Sequence, residues 1–466
     1  MTPMLRRLIL VCVGAGACLM APDAAHADQE LTYRYGPISV GPYQVNLRES
    51  VYDLPKPQVD GYVTGMEANV VDANGAAVPV KRVMLHHVVF ANLGRRVGEK
   101  HDPICGRLTL LDGRSQAPAY EERFFGVGEE RVPGRLPDGY GYFVHGDDRW
   151  AATWMLMNHQ GRSDSVYLQY KVRYETANRL TPVEPVWFDV RNCSFDPIYD
   201  VSGGGRRGSI NTMTTSWTMP YGSRIVAALG HVHGGGKEVA VTEPGCGNRT
   251  LLRSRPTWAF PRDPEYQIRP LVHEVGPIDM TLISSRQGFP VAAGEQLQLT
   301  ARYDNQLPHT RVMGIMGMFL ARDPSVTQPC GPLPADVQLI QKPRPGRSAT
   351  PLIRIPINGR LARGRVGPVS FGPGAPTWVD GPLDVRNFLV DPGNSVVRQG
   401  STVTWRFWGD GLHTVTVANG PQGFSSPNLS DGRTFSHRFT RPGVYRIYCS
   451  LHPVEMSSTV RVLPRR

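Results

Sequence analysis

The sequence predicts an all-β protein, in which two packed β-sandwich domains of jelly-roll type are followed by a third β-sandwich. Glycine and proline are abundant, with 50 and 41 of the 466 residues, and strongly periodic helical segments are scarce. Many short segments are rich in β-branched and aromatic residues, which favour strands, and turn residues separate these segments. A chain of this length can bury the cores of two or three domains.

Three blocks of strand-forming sequence set the expected domain boundaries. The first block covers residues 28–180 and includes apolar segments such as 83–90. The second block covers residues 181–325 and has a similar pattern. Residues 326–375 are rich in proline, glycine and arginine, so we expect a connector there. Residues 376–466 form a compact run of short strands and turns, which predicts a separate third domain.

The first 27 residues have the pattern of a secretory signal peptide. Arg6 and Arg7 precede an apolar stretch, and the small residues Ala25 and Ala27 occupy the −3 and −1 cleavage positions. We therefore expect cleavage after Ala27 and export to the periplasm or the cell exterior.

A lipoprotein anchored through Cys18 is an alternative for the same segment. Ala15 stands where such a motif prefers a branched apolar residue, which favours simple export. The apolar stretch is short and rich in glycine and alanine, and no second stretch of about 20 apolar residues follows it. We expect no membrane span in the mature protein.

The cysteine count indicates that one cysteine has a task other than disulfide formation. Of the seven cysteines, Cys12 and Cys18 would leave with the signal peptide. In an oxidising compartment the odd number that remains requires one unpaired thiol, and the motif around Cys449 gives it a task. The other four could form two disulfides, and there are three ways to pair them. We favour a Cys246–Cys330 disulfide, because these two cysteines would lie within one domain. The four are Cys105, Cys193, Cys246 and Cys330.

The formal net charge of +11 does not predict a nucleic-acid partner. Much of the excess lies in the signal peptide and in residues 342–365, which we interpret as a solvated, basic part of the connector. Export also argues against a nucleic-acid ligand. The charge could at most steer anionic partners or reductants toward the protein.

The C-terminal block contains the ligand set of a type 1 copper site. Cys449, His452 and Met456 occur in one short loop between two predicted strands, and His413 opens a strand upstream. Two imidazoles, one thiolate and a weak axial thioether are the ligands of blue-copper electron transfer, because this set tolerates both Cu(I) and Cu(II). We therefore expect a mononuclear copper ion at these four residues.

This block resembles the cupredoxin family, of the plastocyanin and amicyanin type. The matching features are Phe388, the turn and strand at 400–405, His413, and the segment 442–445 that leads into Cys449. The resemblance implies a Greek-key β-sandwich that carries electrons. Three residues separate His452 from Met456 where family members have two or four, so Met456 is the ligand that the resemblance defines least.

The neighbours of Cys449 argue against two other classes of copper enzyme. In multicopper oxidases and copper nitrite reductases, a histidine beside this cysteine links the blue copper to a second copper. Here the neighbours are Tyr448 and Ser450. We therefore do not expect a laccase or a nitrite reductase.

The first two blocks contain further candidate metal ligands. His231 and His233 would face the same side of a strand and could bind one ion. His86 and His87 are adjacent, so they need a bulge or strand end to converge. A third imidazole for that pair could come from His159, and a thioether suited to Cu(I) could come from Met313 or Met316. Taken singly, a lone histidine such as His159 is more often structural, and methionines in a strand usually belong to the core.

The order of these residues resembles the copper type II, ascorbate-dependent monooxygenases, which include peptidylglycine α-hydroxylating monooxygenase and dopamine β-monooxygenase. The segments 139–144, 154–159 and 231–237 match the family's strands and its His-x-His-x-x-Gly-Lys motif. The resemblance implies two type 2-like copper ions in addition to the type 1 ion. Their implied ligands are His86, His87 and His159 for the first ion, and His231, His233 and Met313 for the second, at which oxygen is activated.

Some substrate-binding residues of that family are missing here. Leu229 stands where the amidating enzyme has an arginine that holds the peptide carboxylate, and Ile315 and Gly317 replace an asparagine and a tyrosine. A peptidylglycine substrate is therefore not expected. The partners that the resemblance implies are a small organic substrate, O₂, and an electron donor such as an ascorbate-like reductant or a redox protein.

Two alternatives to an exported copper monooxygenase remain open on the sequence. One is a non-enzymatic copper protein, either an electron carrier or a copper store. The other is a metal-free scaffold in the first two blocks, with copper only in the third. A reduced protein that does not react with O₂ would favour the carrier or store over an enzyme. A metal content of one copper per chain would favour the metal-free scaffold.

Overall fold

The computed structural model describes residues 29–96, 98–104, 122–177, 179–192, 197–355 and 374–465. The segment predicted as signal peptide, together with Cys105 and Cys193, lies outside these residues. The described chain consists of strands, turns and two short 3₁₀ helices, at Pro244–Cys246 and Pro264–Tyr266. The all-β prediction is therefore confirmed. Within the described residues, no helix has the length and apolar character needed to cross a bilayer.

The first sandwich packs a six-stranded sheet against a four-stranded sheet. The larger sheet has the order β1-β9-β3-β7-β10 with β6 beside β3, and the smaller has the order β2-β8-β4-β5. Large aromatic side chains such as Trp150, Trp154 and Tyr170 fill the space between them. The strands are β1 Gln29–Val40, β2 Val45–Tyr52, β3 Gly61–Val71, β4 Val83–Asn92, β5 Glu122–Gly128, β6 Gly134–Arg135, β7 Tyr140–Val144, β8 Trp150–Asn158, β9 Asp164–Glu175 and β10 Thr181–Pro182.

The second sandwich packs a five-stranded sheet, β11-β22-β14-β19-β23, against a four-stranded sheet, β13-β20-β15-β16. Alternating apolar side chains of β14, β20 and β22 form most of its core, as expected for strands with one buried face. The strands are β11 Glu184–Asp189, β12 Tyr199–Val201, β13 Ile210–Thr218, β14 Ser223–Val232, β15 Gly236–Glu243, β16 Arg249–Ser254, β17 Pro256–Thr257, β18 Asp279–Met280, β19 Leu282–Val291, β20 Gln296–Asp304, β21 His309–Val312, β22 Gly314–Arg322 and β23 Gln338–Ile340.

The third sandwich has a five-stranded sheet, β24-β27-β32-β31-β29, and a four-stranded sheet, β26-β25-β28-β30. Its core includes Trp405, Phe407, Phe439 and Tyr445, all fully buried. The strands are β24 Thr377–Trp378, β25 Leu383–Arg386, β26 Leu389–Asp391, β27 Asn394–Arg398, β28 Thr402–Phe407, β29 Thr416–Asn419, β30 Thr434–Arg438, β31 Gly443–Cys449 and β32 His452–Leu463.

The described part of the expected connector packs on the second sandwich. Strand β23 pairs antiparallel with β19, and Arg347 exchanges two backbone hydrogen bonds with Trp258. The second sandwich is also closed by a disulfide between Cys246 and Cys330, the pairing that the sequence favoured. Cys449 is a buried free thiol, as the odd cysteine count requires.

The three sandwiches contact one another directly. Val45, Met84 and Met157 of the first sandwich belong to the same apolar cluster as the core of the third. The backbone N–H of Val45 also donates to the Leu451 carbonyl at 3.2 Å. The third sandwich is therefore packed against the first by apolar contacts as well as a hydrogen bond, and is not held by the connector alone.

Polar contacts join the second sandwich to the third. The Asp200 carboxylate accepts hydrogen bonds from the Ser425 backbone N–H and hydroxyl and from the backbone N–H of Arg311, at 2.7–2.9 Å. The Thr310 hydroxyl donates to the Val417 carbonyl at 2.9 Å. These contacts place the end of β21 against β29, beside the strand that ends at Cys449.

A buried ion pair near β21 makes the stability of the fold depend on pH. His309 has no solvent-exposed side-chain surface, and its Nδ1 lies 2.7 Å from the Glu274 carboxylate. Asp304 lies 4.0 Å from its Nε2, close enough to attract the imidazolium but too far for a hydrogen bond. Burial alone would lower the pKa of His309, but Glu274 and then Asp304 raise it to about 9.

We expect wild-type protein to lose stability between pH 6.5 and pH 9 relative to His309→Gln. Because the folded-state pKa is raised, the stabilisation is complete below the unfolded pKa near 6.5 and disappears as the pH rises through about 9. The difference amounts to at most about 3 kcal/mol in the free energy of unfolding. Urea unfolding of both proteins across this range measures it, with substitution of the exposed His101 by glutamine as the control. Equal pH profiles for wild type and His309→Gln would contradict the assignment.

Candidate metal centres

Three of the predicted type 1 copper ligands converge in the third sandwich. Cys449 ends β31 and His452 begins β32, and the register shift at this turn places them side by side. The Cys449 Sγ lies 3.6 Å from His452 Nδ1 and 3.9 Å from His413 Nδ1. With copper-like bond lengths of about 2.3 Å to sulfur and 2.0 Å to nitrogen, a trigonal ion requires separations of roughly 3.7 Å. The three residues therefore have the geometry of a single metal site.

The surroundings of this cluster hold its donor atoms in place. The Nε2–H of His413 donates to the Asn387 side-chain oxygen at 2.9 Å, which fixes the tautomer and directs the Nδ1 lone pair toward the sulfur. The Thr414 N–H donates to the Cys449 Sγ at 3.4 Å. Burial raises the pKa of the Cys449 thiol and lowers that of His413 to about 4. A bound cation would stabilise the thiolate and would be bound by an imidazole that is already neutral.

Met456 is fully buried in β32 and belongs to the same apolar cluster as Cys449. Its role as the axial ligand remains a prediction. The cluster is only partly shielded on one side, where the ring of Phe388 meets that of His452 edge-on at 5.1 Å while 58% of Phe388 stays exposed. The side of the site that Phe388 covers therefore faces solvent.

We expect Asn387→Ala to weaken copper binding at the third sandwich by about 10- to 100-fold, the usual effect of losing a partner that orients a metal-binding histidine. The blue colour should remain at saturating copper, because all direct ligands are kept. Titration of the metal-free protein with Cu(II), followed by visible absorption, measures the change. Asn387→Asp retains an oxygen that accepts from His413 and should retain most of the affinity. Equal weakening in both variants would mean that the hydrogen bond is not the cause.

A second cluster forms where the first and second sandwiches meet. The pairing of β4 with β8 shifts between Leu85 and His87, which is the irregularity needed for adjacent histidines to converge. His86 Nδ1 lies 3.1 Å from His87 Nδ1. The ring centroids of His86 and His233 are 5.1 Å apart, as are those of His231 and His233. One histidine pair from each sandwich therefore contributes to a single cluster.

Two acidic residues that the sequence did not indicate lie beside these histidines. Glu130 is buried and accepts from His231 Nδ1 at 3.0 Å, which leaves Nε2 of that ring for a metal. Burial opposes both charges, yet their attraction dominates, so the pKa of His231 is raised and that of Glu130 is lowered. Glu129 lies 3.0 Å from a further histidine, His273. No motif surrounds these three residues, so only the folded chain reveals them.

The other two predicted ligands occupy different positions relative to this cluster. Met313 lines the same cavity as His231 and His233. The ring of His159, at the end of β8, donates from Nδ1 to the Val80 carbonyl at 2.7 Å. Burial and, to a smaller extent, nearby His273 lower its pKa to about 4, against the opposing effect of the Val80 hydrogen bond. Among the described residues, the rings in contact with His86 are those of His87, His233 and His273.

A cavity of about 240 Å³ connects the histidine cluster with the third sandwich. Its wall is largely apolar and includes Leu229, Ile315 and Gly317, the positions that differ from the amidating enzyme. Residues from beside Cys449 complete the wall on the side of the third sandwich. They are Tyr448, Ser450 and Pro453. The cavity can therefore hold a small organic molecule between the two clusters.

Comparison with known proteins supports copper as the metal. The chain is 28% identical over 259 residues to the probable copper-dependent oxygenase M1 of Phoma sp., an alignment that covers 54% of this chain and 59% of the relative. It is 28% identical over 246 residues to the probable copper-dependent oxygenase clz3 of Cochliobolus lunatus, covering 51% and 70%. The chain thus spans less than two thirds of the length of the Phoma protein. No protein-family model matches the chain.

Among solved structures, the chain is similar to a purple cupredoxin from Nitrosopumilus maritimus, at 29% identity and a TM-score of 0.17, covering 18% of this chain and 100% of that one. An amicyanin variant is 25% identical, with a TM-score of 0.17, over 17% of this chain and 79% of that one.

Proposed function

We propose that this protein is an exported, copper-dependent monooxygenase that hydroxylates a small apolar substrate and receives its electrons through its own type 1 copper domain. One observation supports this most strongly. Two histidine pairs from different sandwiches meet at a cavity whose opposite wall includes the residues that flank Cys449. The similarity to copper-dependent oxygenases is the second support.

The histidine cluster between the first and second sandwiches, called the interdomain cluster below, has donor atoms that fit copper. Neutral imidazoles are good ligands for copper in both oxidation states, and a thioether favours Cu(I). The Nε2 of His233 is buried without a hydrogen-bond partner, which is costly unless a ligand occupies it. Bound copper would supply the one-electron chemistry needed to reduce O₂. The resemblance assigns Met313 to the His231–His233 pair, and we retain that assignment in the proposal.

The balanced reaction needs an external reductant. Hydroxylation of one C–H bond of the substrate by one O₂ consumes two electrons and two protons and gives an alcohol and water. The chain's own residues contribute by excluding water and orienting the substrate, since the apolar Leu229 and Ile315 stand in the cavity wall where the amidating enzyme has polar side chains for a charged substrate. The proposed substrate is therefore uncharged and largely apolar, and the proposed donor is an ascorbate-like reductant or a redox protein.

A short series of hydrogen-bonded residues leads from Cys449 toward the histidines of the cavity and supports the proposed electron transfer. Thr414 donates to the Cys449 sulfur and continues along the chain to Val417, whose carbonyl accepts from the Thr310 hydroxyl. The backbone of the next residue, Arg311, lies beside the ring of His233 and opposes the lowering of its pKa by burial. Tyr448, covalently joined to Cys449, lines the cavity directly. Electron transfer along this connection is part of the proposal.

We expect Thr310→Val to slow the reoxidation of the reduced blue copper by O₂ without changing copper content. The variant removes the hydroxyl that bridges to Val417, and the loss of one such bond costs only about 1 kcal/mol, so the fold should persist. Stopped-flow absorption measures the return of the blue colour. Thr310→Ser keeps the hydroxyl and serves as the control. Unchanged kinetics in the valine variant would exclude this connection as the route.

The function as a whole is tested by oxygen consumption. Copper-loaded protein supplied with ascorbate should consume O₂ only when a suitable small apolar substrate is present, and should yield the hydroxylated product in equal amount. Electron paramagnetic resonance of the oxidised protein should show both type 1 and type 2 copper. Reduced protein that is inert toward O₂ with every substrate of a broad panel would contradict the proposal and favour a copper carrier or store.

A further inference from the structure

We infer that His86, Glu129 and His273 together bind one transition-metal dication of the interdomain cluster, and that His159 is not among its ligands. The ion is tested as copper. The choice of copper rests on the proposed function, whereas the ligand set rests on the structure alone. This site has one carboxylate and two imidazoles, which differs from the three imidazoles that the sequence resemblance implies.

The donor atoms of these three residues are already at metal-binding separations. Their nearest ligand atoms all lie within 4.8 Å of one another. The Glu129 Oε1 is 3.0 Å from His273 Nε2 and 3.8 Å from His86 Nε2. First-row ions bind oxygen and nitrogen at about 2.0–2.2 Å, so two ligands of one ion lie roughly 2.8–4.2 Å apart. Both measured distances fall within that range.

The two ring nitrogens of His86 face different partners. Its Nδ1 faces His87 at 3.1 Å, and its Nε2 faces Glu129 and His273. On the Nδ1 side of His86, the described residues provide no group of three histidine, cysteine or carboxylate donor atoms that all lie within 4.8 Å of one another. The Nε2 side alone provides three donors. His159 does not belong to this group of donor atoms, although its Nδ1 hydrogen bond to the Val80 carbonyl leaves its Nε2 free.

The Glu129 carboxylate is held in the orientation that this site requires. Its Oε2 accepts from the Gly276 N–H at 2.8 Å, so that Oε1 remains directed at the two histidines. A Cβ at Gly276 would lie 3.0 Å from the Glu129 carboxyl carbon, which leaves no room for a larger residue without displacing the carboxylate. The backbone of the second sandwich thus positions a ligand that belongs to the first.

Burial and charge also favour a metal at this place. The side chains of His86, Glu129 and His273 are only 9%, 12% and 16% exposed, yet His86 and His273 line the cavity. A dication among three neutral imidazoles would keep two uncompensated charges away from water, whereas one carboxylate neutralises half of that charge. Carboxylate and imidazole together are a common set for first-row ions.

The test compares three variants of the copper-loaded, full-length protein without substrate. We expect His273→Ala to lose one copper per chain, and Glu129→Gln to bind that copper at least about 10-fold more weakly. His159→Ala should keep the wild-type copper content, and it is the matched histidine control. Metal analysis counts the ions, and electron paramagnetic resonance shows whether the lost signal is type 2. The unchanged blue colour of each variant shows that the third sandwich is folded, and an unchanged unfolding midpoint shows the same for the other two.

Gly276→Ala provides a milder variant in case His273→Ala does not fold. It retains all ligands but should alter the type 2 signal by displacing the carboxylate. Full copper content in His273→Ala and Glu129→Gln, or loss of one copper in His159→Ala, would overturn the inference. Because these measurements need neither substrate nor O₂, the inference can fail while oxygenase activity persists, and it can hold in a protein that proves to be no oxygenase.

Discussion

Replacing Cys449 by serine is expected to abolish the intense visible absorption of the protein and to remove one copper ion per chain. The absorption of a type 1 site arises from the bond between copper and the thiolate, and a serine hydroxyl is neither soft nor ionised at neutral pH. The serine side chain is smaller and has the same shape, so the buried site at the end of β31 should still fold. Visible spectroscopy and metal analysis of the copper-loaded variant measure both losses.

The neighbouring residue supplies the control for this experiment. The Ser450 hydroxyl accepts a hydrogen bond from the Thr414 hydroxyl, and Ser450 is not one of the three residues whose donor atoms converge. Ser450→Ala should therefore keep the colour and the copper. If the colour survived in Cys449→Ser, the assignment of the third sandwich as a type 1 copper domain would be wrong, and the proposed electron source of the cavity would be lost with it.

Replacing His233 by alanine should have the largest effect on catalysis. Its ring contacts both His86 and His231, so it lies where the contributions of the two sandwiches meet. We expect the loss of one type 2 copper and a fall in substrate-dependent oxygen consumption of at least about 100-fold, since losing a direct ligand costs no less than losing its supporting partner. Metal analysis and an oxygen electrode measure these changes.

The blue colour should persist in His233→Ala, because the two clusters use separate ligands. His145 is a suitable control, since it lies in the first sandwich, pairs with the exposed Asp60 and takes no part in either cluster. His145→Ala should retain both copper content and activity. A His233→Ala protein that still oxidises substrate at the wild-type rate would place the oxygen chemistry elsewhere.

Both predictions concern one arrangement, in which the histidines of the first two sandwiches and the residues that flank Cys449 line the same cavity. Tyr448 joins the thiolate strand to that wall, although the sequence had only excluded a histidine at this position. The contacts of Asp200 with Ser425 and Arg311 hold the second and third sandwiches in register. In the proposed function, this interface sets the distance between the two metal centres.

The amino-acid sequence by itself determined the features that depend on local spacing. The abundance of turn residues and short β-branched segments predicted the all-β class, because β-branched side chains favour strands and turn residues end them. Cys449 and His452 are close together in the sequence, so their spacing alone was enough to recognise them as metal ligands. The odd cysteine count indicated one free thiol, and the Cys246–Cys330 pairing that the sequence favoured is present in the structure.

The tertiary structure decided which distant residues share a site. Strand periodicity places His231 and His233 on one face, but it carries no information on which surface of another sandwich will cover that face. Docking of the sandwiches depends on the complementarity of whole surfaces, and it brings His86 to His233 and places Glu129 beside His273. These last two residues belong to no local pattern, so only the packed chain could reveal them.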